Sequence, residues 1–284
     1  MSGALALRAG VVWVARERRA GHVRAYDLDG RPVSGELVVP PLQTTRTHIT
    51  GLAVDADRRL LVADAAASSV RIYSAFGVEQ PQGFAGSSAH LDSHGQLGVP
   101  VDVAVDGVES DTRVLIASDG ERRHALHVCD RSGAWRESLR PLGDPMGVFH
   151  HLRKVGLRDR LIVALESGKQ RVQVFRDGEF HFAFHVPAAR GRPQQPVAVE
   201  PLLDGRYLVL LRGEQHSSLV LVDRGGTVQR LLSQESEIDA AVDLVVEEGA
   251  NERASRIAVL DRDGDRVQVW TLQGTCLGEF VDLT

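Results

Sequence analysis

Arg266-Val-Gln-Val-Trp270-Thr-Leu-Gln-Gly274 alternates apolar with polar residues and stops at a glycine. That is the pattern of a half-buried strand running into a tight hairpin. The chain writes it five more times, as His22-Val-Arg-Ala-Tyr26 to Gly30, Ser69-Val-Arg-Ile-Tyr73 to Gly77, Ala125-Leu-His-Val-Cys129 to Gly133, Arg171-Val-Gln-Val-Phe175 to Gly178, and Ser218-Leu-Val-Leu-Val222 to Gly226. The second residues of the copies, Val23, Val70, Leu126, Val172, Leu219 and Val267, are spaced by 47, 56, 46, 47 and 48 residues. A pitch near 47 with one insertion therefore spans the 284 residues and leaves no linker or second domain.

Within the second period, the run Ile49-Thr-Gly-Leu-Ala-Val-Asp55 reads as a strand buried on both faces. The chain turns at 56–59, returns through Leu60-Leu-Val-Ala-Asp64, turns again, enters the repeated strand, and ends in a weaker fourth strand near 78–84. Four short strands joined by tight turns form an antiparallel meander. The matching inner strands are expected at 4–8, 101–106, 146–150, 196–200 and 242–247, and the second strands at 11–15, 114–117, 161–165, 206–211 and 257–260. A twisted four-stranded sheet cannot cover both of its faces alone, so the copies must pack around an axis. The expectation is an all-β, six-bladed β-propeller of four-stranded antiparallel blades, one domain over 1–284, with blades at about 1–40, 41–88, 89–141, 142–190, 191–234 and 235–284. Blade one begins with its innermost strand and blade six ends with its outermost, so the ring should close by side-chain packing without strand exchange.

The composition is that of a soluble globular chain, 43% hydrophobic and 25% charged, with aromatics sparse at 5%. A net charge of −5 supplies no global field towards nucleic acid or an acidic membrane. The basic residues are almost all arginine, the lysines being Lys154 and Lys169. Cys129 and Cys276 fall in repeats three and six, too far around the ring for a disulfide. No apolar window approaches the length of a membrane helix, and the first residues carry no secretory pattern, so the expectation is a cytoplasmic monomer away from membranes.

Gly51-Leu-Ala-Val-Asp55, Leu61-Val-Ala-Asp64, Ser69-Val-Arg-Ile-Tyr73 and Gly77 together resemble the NHL repeat, with further copies at Val101-Asp-Val-Ala-Val-Asp106 and Arg266-Val-Gln-Val-Trp270. The aspartate closing the second strand stands as Asp64 and Asp261, becomes Glu166 in the fourth repeat, and is replaced by Arg16, Ser118 and Arg212 in the others. The resemblance implies a six-bladed propeller, and NHL-like propellers serve as protein-binding platforms, RNA-binding domains, and lyase or lactonase scaffolds. Fold therefore leaves function open.

The loops entering each blade share one face with those joining second to third strands. Two entry loops are long, residues 40–48 and 83–100, and the latter exceeds the length at which a structureless loop is usually functional or disordered. His48, His90, His94 and His124 gather on this face over blades two and three, with His22 one blade away. Imidazoles from separate loops could hold zinc for hydrolytic or lyase chemistry. The resemblance argues otherwise: the zinc-binding histidines of the amidating lyase precede the inner-strand run, where this chain has Thr50, Val101, Met146, Gln195 and Val242. Asp102 and Asp243 share one register in opposite blades at the channel mouth, as a pair of solvated carboxylates or part of a calcium site.

Arg122 and Arg123 head a set of loop-face arginines that could meet RNA phosphates, but Asp119, Glu121, Asp261, Asp263 and Asp265 are interleaved with them. No nucleophile elbow, P-loop, HExxH or CxxC occurs. The pair His150-His151 is expected to follow an inner strand and point to the opposite face, near Arg153-Lys154. The reading that results is a non-catalytic module binding a protein or peptide through His48, His90, His94, Arg122, Arg123 and His124, with no resident cofactor. A metal-assisted lyase or lactonase is the alternative, and RNA binding the third.

Overall fold

Val23, Val70, Leu126, Val172, Leu219 and Val267 are all buried, none more than 1% exposed, and each lies in the third strand of a four-stranded antiparallel sheet. The computed structural model describes residues 3–16, 20–33, 35–42, 46–81, 84–85, 98–119, 125–139, 149–186, 194–234, 237–261 and 265–281. Six sheets result, each from four strands consecutive in sequence, arranged as a six-bladed β-propeller.

The first strands are β1 (Gly3–Arg8), β5 (Ile49–Val54), β9 (Val99–Asp106), β13 (Leu152–Arg158), β17 (Gln195–Pro201) and β21 (Asp243–Glu247). The second strands are β2 (Val11–Arg16), β6 (Leu60–Asp64), β10 (Arg113–Asp119), β14 (Leu161–Glu166), β18 (Tyr207–Arg212) and β22 (Arg256–Asp261). The repeated motif forms β3 (His22–Asp27), β7 (Ser69–Tyr73), β11 (Ala125–Asp130), β15 (Arg171–Arg176), β19 (Ser218–Val222) and β23 (Arg266–Trp270). Outermost lie β4 (Leu37–Val38), β8 (Phe84–Ala85), β12 (Trp135–Leu139), β16 (Glu179–His185), β20 (Val228–Leu231) and β24 (Cys276–Val281). All six motif glycines, from Gly30 to Gly274, have φ between +75° and +89°, a backbone that a Cβ would strain.

First strands touch their neighbours all the way round, and β21 returns to β1. The core is six buried clusters, each shared by two adjacent blades. Strand alternation explains this: in β14, Leu161, Val163 and Leu165 face blade five while Ile162 and Ala164 face blade three. Among the described residues no ladder joins one sheet to another. Leu5, Val12 and Val14 pack on Val245, Ala258 and Leu260 to close the ring, and the Tyr26 and Phe280 rings meet at a tilt across the same seam, centroids 5.1 Å apart. The backbone N–H groups of Ala9 and Gly10 donate to the Glu247 carboxylate there. Cys129 and Cys276 are free thiols, the first buried and the second exposed.

One inner strand departs from expectation. In blade four it is Leu152–Arg158 and not 146–150. The charged residues Arg153, Lys154 and Arg158 hid this strand, because their side chains serve the channel and break the apolar run expected of a strand between two sheets. It follows that His150 and His151 precede β13 on the entry-loop face, where the His150 N–H donates to Glu166 Oε1 at 2.8 Å, and do not point to the opposite face.

Candidate functional site

Pairing register places one residue of each inner strand at the same height on the axis: Ala4 opposite Ala15, Gly51 opposite Ala63, Asp102 opposite Ala117, Lys154 opposite Leu165, Pro196 opposite Leu211 and Asp243 opposite Leu260. In β5, β9 and β13 a bulge just before this height re-aims the chain, with Thr50, Val101 and Arg153 as the extra residues. Three blades thus bring charged side chains to one point, two carboxylates and an ammonium.

Lys154 Nζ lies 2.9 Å from Asp243 Oδ1 and 3.6 Å from Asp102 Oδ2. The three residues are 6%, 4% and 1% exposed, so the carboxylates are buried, against the expectation of a solvated pair. Backbone donors complete the arrangement: Leu5 N–H donates to Asp243 Oδ2 and Val155 N–H to Asp102 Oδ2, each at 2.9 Å. Among the described residues Asp102 Oδ1 has no hydrogen-bond partner, and it faces Gly51, where a Cβ would stand 2.5 Å from it. Burial, reinforced by the charge of Asp243, pushes the Asp102 carboxyl up to about 7 despite Lys154. Burial alone would depress the Lys154 ammonium, but the two aspartates hold it well above the ordinary lysine value.

Lys154 lines two cavities and is the partition between them. Above it, on the entry-loop face, a mouth of about 400 Å³ is lined by Thr50, Asp119, His151, Arg153, Ser167 and Asp243, among others. His151 Nδ1 stands 3.9 Å from Asp119 Oδ2, and Arg153 Nε donates to the Val197 carbonyl at 3.0 Å. Below, about 440 Å³ opens past Glu200, Arg158, Glu247 and Glu248. Glu200 is pushed up to about 8 by burial, against the pull of Lys154 and Arg158.

His48 is exposed on the entry-loop face, its backbone N–H donating to Asp64 Oδ1 at 3.0 Å. Asp64, Glu166 and Asp261, each wholly buried, perform the same closure in alternate blades by accepting from His48, His150 and Asp239. His90, His94, Arg122, Arg123 and His124 lie outside the described residues. Sequence reasoning missed Lys154, His151 and Glu200 as channel residues. One signal was available for the first: Lys154 is one of two lysines in a chain whose other basic residues are arginines.

No protein-family model matches the chain, and no curated protein matches it in sequence. Among solved structures, the nidogen–laminin complex contains a chain superposing with a TM-score of 0.65 at 14% identity, over 95% of this chain and 92% of that one. A catalytically inactive virginiamycin B lyase from Staphylococcus aureus, with quinupristin, superposes at 0.62 and 11% identity over 99% and 84%. A gluconolactonase from Xanthomonas campestris gives 0.62 at 14% over 95% and 83%. The likeness is one of fold. It reaches the propeller and stops short of the NHL repeat, and it spans both binding proteins and enzymes.

A divalent ion at the axis would need the oxygens of Asp102 and Asp243 together. Three of those four oxygens already face the Lys154 ammonium or a backbone donor, and Arg153 adds a second cation at the mouth. Metal ligation needs several oxygens free to converge, and this donor set does not fit it.

Proposed function

We propose that the chain is a non-catalytic propeller that binds a protein or peptide on its entry-loop face over blades two and three. The observation that carries this reading is the Asp102–Lys154–Asp243 cluster. The groups at the axis that could have formed a reactive centre are paired with one another and bridge blades. Exposed His48 stands on that face, and loops on a rigid scaffold are where recognition usually lies. The likeness to a chain of the nidogen–laminin complex supports a protein-binding use of the fold.

Metal analysis of chelator-free protein tests the reading. Substoichiometric zinc and calcium are expected, and one equivalent of either, lost on Asp102→Asn, would replace this reading with the enzyme. Salt-sensitive retention on RNA that disappears on replacing Arg122 and Arg123 would replace it with the RNA-binding one.

The enzyme alternative draws on His151, which has φ +54° and shares the mouth with Asp119, Arg153 and Ser167.

A further inference from the structure

The fourth residue of the repeated strand is Ile72, Val128, Val174, Leu221 and Val269 in blades two to six, but Ala25 in blade one. The missing methyl groups leave room beside the seam between blades one and two. So does the shortness of β4, two residues long. A cleft of about 650 Å³ opens there on the face opposite the entry loops, with Ala25, Trp13, Leu37 and Leu60 in its walls and Phe76, 94% exposed, at its rim. That volume falls within the usual range of small-molecule sites, roughly 300–1,000 Å³.

Of the three charged residues that line the cleft, two are basic. Arg8 and Arg58, from the first turns of the two blades, line it, and among the described residues neither has an ion pair or a side-chain hydrogen bond. Glu36, the acid lining the same cleft, is engaged elsewhere, 2.9 Å from Arg24 Nε and 3.1 Å from His22 Nδ1. A guanidinium presents paired donors that match a carboxylate. An apolar body in the cleft would cover Trp13 and Phe76 while its acid group met the two arginines.

We infer that the cleft between blades one and two binds a small amphipathic carboxylate, a single acid group on an apolar chain or ring. This site is separate from the entry-loop face and does not depend on what binds there.

Calorimetric titration with decanoate and with decanol tests it. Decanoate binds one equivalent and changes tryptophan fluorescence, a change absent in Trp13→Phe. Decanol, with the same tail and no charge, binds about tenfold more weakly, the worth of a charged hydrogen bond. Arg8→Gln with Arg58→Gln brings decanoate down to the decanol level. Ala25→Val, which restores the residue found in three other blades, abolishes decanoate binding while the melting temperature stays at or above that of the parent. Three outcomes overturn the inference: no saturable decanoate binding, equal binding of decanol, or undiminished binding by folded Ala25→Val. Should the chain instead dimerise, and revert to monomer on Phe76→Asp without binding decanoate, the cleft belongs to a second copy and the inference likewise falls.

Discussion

Lys154 of blade four reaches across the channel to Asp243 of blade six, ammonium to carboxylate at 2.9 Å, with both side chains no more than 7% exposed. Through Leu5 N–H and Val155 N–H the same cluster touches blades one and four, so a single cation ties together parts of the ring that share no sheet. Desolvating three charges is costly, and the arrangement persists because each charge faces its opposite or a backbone donor. Its geometric consequence is a channel divided in two.

The lower half of that channel titrates. Glu200 ordinarily ionises near 4.5 and holds its proton here to about 8. Between those values the folded chain binds more protons than the unfolded one, so this group's contribution to stability is complete below about 4.5 and is lost as pH rises through about 8. Asp102, up to about 7 from 3.8, acts with the same sign. Glu200→Gln should therefore flatten the fall in urea midpoint across this window, leaving the smaller slope due to Asp102. Parallel profiles for the two proteins would refute the assignment. Glu79, held below the usual carboxylate range by Arg71, works oppositely and only at acid pH.

Gly51 is a glycine for lack of room. A Cβ there would lie 2.5 Å from Asp102 Oδ1, 2.7 Å from its Cα and 2.9 Å from Val103 N. Gly51→Ala must push β5 away from β9, at a cost of about 1–3 kcal/mol for overpacking. Chemical denaturation gives the number directly. A loss below a few tenths would mean that the two strands are not in the close contact described.

Arg266 covers Asp261, donating from Nε at 3.1 Å and also from Nη2, with 7% and 0% of the two side chains exposed. Arg266→Gln leaves a buried carboxylate without its counter-charge and should destabilise by about 3–5 kcal/mol. Pairing it with Asp261→Asn should restore much of the loss, since the charge itself is then removed. Additive losses in this double-mutant cycle would show that the pair is not coupled.

The propeller was legible because its signal is repeated and local. Six copies of one strand each end in a glycine with positive φ, and chance does not produce that pitch. Asp102 and Asp243 were legible as a pair because register counting is reliable wherever the inner strand is apolar. Blade four broke the count: Leu152-Arg-Lys-Val-Gly-Leu-Arg158 does not look like a strand between two sheets until the channel is known to receive its charges. The neighbouring Met146-Gly-Val-Phe-His150 matches the apolar pattern better, and a strand there would put His151 on the opposite face and Lys154 off the axis. The cleft at Ala25 was also written in the alignment of repeats. A missing methyl group acquires meaning only when the strand beyond it is seen to be two residues long.

Unfolding free energies of two variants test most directly whether Lys154 is the counter-ion that closes the axis. Lys154→Met should lose about 3–5 kcal/mol, since it strands two buried carboxylates. The triple variant Asp102→Asn, Lys154→Met, Asp243→Asn should recover most of that loss. A Lys154→Met protein as stable as its parent, or a triple variant weaker than Lys154→Met alone, would contradict the account.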